Sequence, residues 1–194
     1  MSPQPDNPVD HAPHPPPKRR SAWTMKQKII RAIWDSLGRL IWVLVPPARS
    51  ALIRLFGGTV GRGCTFRRSV RITIPWNIHL GDRVEVGDRV ILYTLGSITI
   101  GNETVIDDFA HLCAGTHDLR DSRFPLLTPP INIGSQCFIG IDAYIGPDVT
   151  LGDRCRVHPR ASVYKSYDQD MELRGNPARP VERSTAQKPE EVTA

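Results

Sequence analysis

Residues 133–168 read IGSQCF IGIDAY IGPDVT LGDRCR VHPRAS VYKSYD, six hexads in which an aliphatic residue returns at 133, 139, 145, 151, 157 and 163. Four places after each stands a small or β-branched residue: Cys137, Ala143, Val149, Cys155 and Ala161, with Tyr167 the one departure. Side chains alternate along an extended strand, so the small residue and the next aliphatic one point the same way and the residue between them points out. A strand this short cannot bury its apolar side alone. Three that close a triangular coil can, once further coils stack on it. Neither a sandwich nor a right-handed β-helix has a strict period of six.

The same period runs upstream. Val60, Phe66 and Ile72 are followed by a two-residue slip, then Leu80, Val86 and Leu92, a second slip, and Ile100, Ile106 and Leu112. Fifteen further residues then intervene before Ile133. Five sets of three hexads predict an all-β fold, a parallel β-helix of about five coils, roughly 24 Å tall at the usual spacing of parallel strands. Trp76 and Gly96 break the small-residue position. Glycine follows the aliphatic residue at 61, 81, 87, 101, 134, 140, 146 and 152, where it is expected to permit a sharp corner.

The rest of the chain is organised around this domain, placed at 57–183. Residues 1–21 hold seven prolines before Lys18 and read as a disordered extension, and 184–194 as a disordered tail. Between lies a helical segment, 22–56. Over 22–45, Ile30, Trp34, Leu37, Ile41 and Leu44 make an apolar stripe, and Lys28, Arg31, Asp35 and Arg39 a polar face. Pro46-Pro47 ends this helix, and a second, 48–56, ends at Gly57-Gly58. The stripe has two readings. It covers the first coil near Val60, or it lies in a membrane interface as a peripheral contact. The longest uncharged run, 40–48, is far short of the roughly 20 residues that span a bilayer.

A formal charge of +5 fits an anionic ligand or surface, but with no nucleic-acid motif it does not argue for nucleic acid. Four cysteines without a CxxC pair give no zinc signature, and a reduced, cytoplasmic setting is expected. Cys137 and Cys155 stand one coil apart and are expected to stack as thiols.

Several motifs carry a resemblance. They are Arg54-Leu55-Phe56-Gly57, Ile74-Pro75-Trp76-Asn77, Ile98-Thr99-Ile100-Gly101, Gly115-Thr116-His117-Asp118, Phe138-Ile139-Gly140 and Gly175-Asn176-Pro177-Ala178-Arg179. From Leu52 to Val181 the chain resembles the bacterial colanic-acid biosynthesis acetyltransferases of the wider hexapeptide family. The resemblance implies a left-handed coil and acetyl transfer from acetyl-CoA to a sugar hydroxyl in exopolysaccharide biosynthesis. It also implies a homotrimer with sites between neighbouring β-helices, and no metal.

His117 closes the hexad begun at Leu112, at the corner where the excursion 118–132 begins. The resemblance makes it the general base, a task imidazole suits at neutral pH. Asp118 either orients that imidazole or caps the loop backbone. Tyr93 and Thr94 are expected on the acceptor side, and Asp107 and Asp108 either reach the sugar hydroxyls there, polarise a histidine, or form a corner turn as two solvated acids. For acetyl-CoA, the resemblance points to the backbone from Ile141 to Ala143 at the thioester end, to Lys165 and Arg179 at the phosphates, and to Asn176 in the tail. Two positions depart from the family: His158-Pro159 replaces Gly-Ala, and Thr94 stands where relatives carry Asn. Two other functions remain open. One is a zinc enzyme of the γ-carbonic-anhydrase type using His79, His111, His117 and His158, although that family's close pair is one residue nearer than His111 and His117. The other is a non-catalytic binding or scaffold subunit.

Overall fold

The computed structural model describes residues 23–182; the extension and tail expected over 1–21 and 184–194 lie outside the described residues. The hexads form three parallel faces. Face A stacks Thr59–Val60, Ile78–Leu80, Ile98–Ile100, Ile131–Ile133 and Thr150–Leu151. Face B stacks Thr65–Phe66, Glu85–Val86, Val105–Ile106, Phe138–Ile139, Arg156–Val157 and Glu172–Arg174. Face C stacks Arg71–Ile72, Ile91–Tyr93, His111–Cys113, Tyr144–Ile145 and Ser162–Val163.

The register follows the aliphatic ladder. Val60 lies beside Leu80, Leu80 beside Ile100, Ile100 beside Ile133 and Ile133 beside Leu151. The slips are therefore absorbed as longer coils, the first through the 3₁₀ turn Pro75–Asn77. Beyond the five coils there is a partial sixth. Tyr167 bridges to Leu151, and Glu172–Arg174 pairs with the antiparallel strand Arg179–Val181. The aliphatic and small positions fill the interior, and Cys137 and Cys155 stack there as free thiols. The thiol–thiol contact and burial push Cys137 well above the ordinary thiol range.

The eight glycines that follow the aliphatic residues do not turn the corners; the first corner turns at Gly63, with φ 69°. In the later coils the left-handed backbone falls two residues after the glycine position, on Arg83, Arg89, Glu103, Phe109, Gln136, Asp142, Asp148, Arg154 and Arg160, with φ between 54° and 64°. Glycine is required by proximity instead. A Cβ at Gly81 would lie 2.3 Å from Asn102 Oδ1 and 2.8 Å from its backbone nitrogen, on the neighbouring coil.

Each coil donates its N–H groups to the next: Gly61 to Leu80, Arg67 to Val86, Thr73 to Leu92. The carbonyls of Val60, Phe66 and Ile72, one on each face, therefore have no preceding coil to serve them. The helical segment supplies all three donors. Arg54 donates to Val60 O at 2.6 and 2.8 Å, Arg49 Nη1 to Phe66 O at 2.6 Å, and Trp34 Nε1 to Ile72 O at 2.9 Å. The Trp34 bond supports the capping reading of the 22–45 helix, and the second helix supplies the other two donors.

The segment expected as one helix over 22–45 comprises α1 (Met25–Ile33), a π turn (Trp34–Gly38) and α2 (Arg39–Leu44); α3 (Arg49–Leu55) follows the prolines. The expected stripe is corrected at two places. Leu37 and Leu44 are exposed, and Trp42 is buried instead. Residues eight apart diverge by about 80° on an ideal α-helix. The wider π turn offsets that drift, so Trp34 and Trp42 both reach the first coil, their rings 6.2 Å apart and edge-on. Gly38 leaves space for this: a Cβ there would meet the Trp34 ring at 3.1 Å.

Candidate active site

Thr116–His117 leaves the third coil and pairs antiparallel with Leu126–Leu127, so the excursion opens as a small hairpin. Phe124, in the left-handed region at φ 46°, turns its carbonyl to His117 Nδ1 at 2.8 Å. A carbonyl only accepts, so Nδ1 carries the proton and Nε2 is the basic nitrogen. Asp118 takes the capping role. Its Oδ1 accepts the Arg120 N–H at 2.9 Å, and its own N–H donates to Pro125 O. The carbonyl of Phe124, not the neighbouring carboxylate, holds the imidazole.

Tyr93 comes to the same corner. Its ring edge lies 3.3 Å from where a Gly115 Cβ would stand, two residues before His117. Thr94 is a correction to the acceptor set. It is fully buried, its hydroxyl donates to Ile74 O at 2.9 Å and accepts from Ile74 N–H at 2.7 Å. The one hydroxyl proton is engaged across two coils, so this side chain ties Ile74 to the second coil and does not meet a substrate.

Asp107 and Asp108 stand at another corner, between faces B and C. Asp108 Oδ1 accepts the Asp88 N–H at 2.6 Å, and Asp107 Oδ1 accepts the Asp108 N–H. With Thr65, Arg67 and Glu85 they line a groove of about 380 Å³ on face B. Within one chain these acids and His117 occupy different edges of the prism.

Among the residues expected at acetyl-CoA, Ile141 is exposed and Ala143 is buried. Ala143 is a second correction. Its N–H donates to Gly140 O and its carbonyl accepts from His111 N–H, while the Asp142 N–H is held by Asp108 O. Neither donor is left for a thioester oxygen. The Gly175–Arg179 turn is fastened to the end of face C: Ser162 N–H donates to Gly175 O, Ala178 N–H to Ser162 O, and Tyr167 Oη to Ala178 O at 2.9 Å. This places exposed Asn176 and Arg179 at the same end of the solenoid as Lys165. His158 is drawn away from any site chemistry by Glu172, whose Oε1 lies 2.5 Å from its Nε2; that contact holds the Glu172 carboxyl below its usual range.

Two features have no motif in the sequence. One is the Phe124 carbonyl. The other is an aromatic ladder on face C, Tyr93–His111–Tyr144–Tyr164, with successive ring centroids 6.4, 5.6 and 5.6 Å apart. His111 Nε2 is buried within it without a hydrogen bond, and desolvation lowers the basicity of the ring. The spacings of 20 and 33 residues that bring Tyr93, His111 and Tyr144 together are three hexads lengthened by a two-residue slip and by the fifteen-residue excursion, so counting the hexads and their interruptions is the signal that finds them.

The family model described as "Bacterial transferase hexapeptide (six repeats)" matches residues 130–165. "Putative colanic acid biosynthesis acetyltransferase WcaF" of Escherichia coli K12 is 46% identical over 130 residues, covering 67% of this chain and 71% of that protein. A hexapeptide-repeat acetyltransferase of Vibrio cholerae O1 biovar eltor, solved with acetyl coenzyme A, is 25% identical. It superimposes with a TM-score of 0.75 over 84% of this chain and 91% of the other. A maltose O-acetyltransferase of Clostridium difficile 630, 22% identical, matches in fold with a TM-score of 0.74 over 81% of this chain and 88% of its own.

Proposed function

The chain belongs to the hexapeptide-repeat acetyltransferases, and from that premise we propose that this acetyl-CoA-dependent acyltransferase acetylates a hydroxyl of a sugar destined for an exopolysaccharide, with His117 as its general base. The observation that carries the role of His117 is the 2.8 Å contact between its Nδ1 and the Phe124 carbonyl. That bond orients the ring, leaves Nε2 to accept a proton, and stabilises the imidazolium once formed. Nε2 takes the proton of the acceptor hydroxyl as the oxygen attacks the thioester carbonyl. The C–S bond then breaks, and the proton passes from Nε2 to the departing sulfur. Tyr93 flanks the acceptor side, and Lys165, Asn176 and Arg179 receive the nucleotide end of acetyl-CoA.

The active unit in this reading is a homotrimer. The loop that holds His117 exposes Leu119, Phe124, Leu126 and Leu127, an apolar rim suited to a neighbouring subunit. Asp107 and Asp108 reach His117 only from such a neighbour. Peripheral contact of residues 22–45 with the cytoplasmic membrane face completes the proposal.

The test is transfer of labelled acetyl from acetyl-CoA to a panel of sugars and nucleotide sugars. His117→Ala should fold normally and lose about two to four orders of magnitude of turnover. Turnover close to that of the unaltered enzyme would end the assignment.

A further inference from the structure

The inner face of the helical segment is occupied by the first coil, but its outer face is also apolar. Met25, Ile29, Ile33, Leu37, Leu40 and Leu44 recur at steps of four, four, four, three and four, and are between 44 and 71% exposed. A helix that served only as a cap would be polar on this side. The π turn that aligns Trp34 with Trp42 also offsets the drift of the four-residue steps, so both stripes run along the segment.

The charges around this stripe are nearly all of one sign. Residues 23–45 hold Lys26, Lys28, Arg31 and Arg39 against the single acid Asp35. Beside the stripe, between the helix and the first coil, lies a cleft of about 240 Å³. Arg31, Arg39, Arg68 and Arg71 line it, with Asp35, which pairs with Arg31 at 3.4 Å, as the one acid. The apolar Val43, also exposed, completes its wall toward the stripe.

We propose that this face docks on an anionic phospholipid bilayer, with the outer stripe in the headgroup–acyl boundary and a lipid phosphate in the arginine cleft. The inference deepens the membrane contact of the proposed function and rests on that reading. No helix among the described residues is long and apolar enough to cross a membrane, so the segment lies in the plane of the interface. Charge complementarity selects the occupant. A second copy apposed by a twofold axis would set the cations of one protomer against those of the other, whereas lipid phosphates neutralise them. Because the helix covers the end of the first coil, docking stands the solenoid on the membrane. His117 leaves the third coil, about 10 Å further along the axis, within reach of a sugar on a lipid-linked carrier.

The test uses the full chain and sedimentation with two vesicle types, phosphatidylcholine alone and phosphatidylcholine mixed with phosphatidylglycerol. The protein should sediment with the mixed vesicles, less so as salt rises, and only weakly with the neutral ones. Arg68→Gln with Arg71→Gln should lower partitioning roughly 25-fold, from about fivefold for each cation near the surface. Leu40→Ser with Leu44→Ser should lower it by more than tenfold. Both double variants should keep the far-UV spectrum and the acetylation of soluble sugars, so loss of docking is read separately from loss of the acetyltransferase reading. Equal binding to both vesicle types, or unchanged binding by both variants, overturns the proposal. So does an oligomer that dissociates in Leu40→Ser/Leu44→Ser while vesicle binding persists, because the stripe would then be a contact between copies.

Discussion

Arg49→Met tests the closure of the open end of the solenoid. Arg49 is only 8% exposed, donates to Phe66 O at 2.6 Å and to Trp42 O at 2.9 Å, and its guanidinium lies 5.7 Å from the Trp42 ring centroid. Methionine keeps the stem volume and removes both donors. Each hydrogen bond from a charged donor contributes about 1.5–3 kcal/mol, and a carbonyl left without a partner costs about 1–3 kcal/mol. The loss is partly offset, because burial and the nearby Arg68 already lower the Arg49 pKa, and that desolvation is relieved. A net cost of about 2–4 kcal/mol follows. For a chain of this size it corresponds to a fall in Tm of roughly 5–15 °C. Thermal and urea unfolding at one fixed protein concentration, followed by tryptophan fluorescence, would read it, since Trp34 and Trp42 sit at the altered end. The control is Arg62→Met, an exposed arginine 4.0 Å from Asp82, which should move stability by less than about 0.5 kcal/mol. If Arg49→Met is no more destabilising than this control, the capping argument fails.

Deletion of residues 1–47 removes the Trp34 donor and the Trp42 ring from the first coil, and should give insoluble or unstable protein; a soluble, cooperatively folding truncation would contradict the cap. Light scattering at micromolar concentration should give the mass of a trimer, and a monomer alone would remove the shared site. Gly81→Ala should destabilise by a few kcal/mol, since the added Cβ meets not only the Asn102 side chain but also the backbone of the next coil at Asn102 and Gly101, which cannot turn aside; a neutral effect in urea titration would show that the coils yield. His111 binds fewer protons folded than unfolded, because desolvation lowers its pKa from 6.5; its share of the stability is therefore lost as pH falls below that value. His111→Phe should flatten this part of the stability–pH curve, and an unchanged slope would refute the assignment.

What the hexads reveal, and what they hide, has one physical cause. Stacked coils repeat the same contacts, so Val60, Leu80, Ile100, Ile133 and Leu151 each meet the same requirement and leave a period in the chain. The ends of the stack are legible only as elements. Proline and glycine mark where the helices stop, yet the π turn that brings Trp34 and Trp42 to one face has no local signature, and it displaced two residues of the expected stripe. The eight glycines were legible as a pattern but not in their cause: the corner falls on residues such as Arg83, and the glycine answers the closeness of the neighbouring coil. The proposed site lies where the period breaks, so periodicity says nothing of it. His117 could be found from its motif, but its partner is a backbone carbonyl, and any residue at 124 presents one. Thr94 and Ala143 were misplaced for the converse reason: they occupy positions on the coil where hydroxyl and amide are already engaged by neighbouring backbone. In a fold held by repeated backbone bonds, a polar group on the coil is available to substrate only where the repeat fails to claim it. The candidate site therefore gathers at the interrupted coil between Leu112 and Ile131 and at the turn that closes the last one, which is where the acceptor and the nucleotide ends of the reaction are assigned.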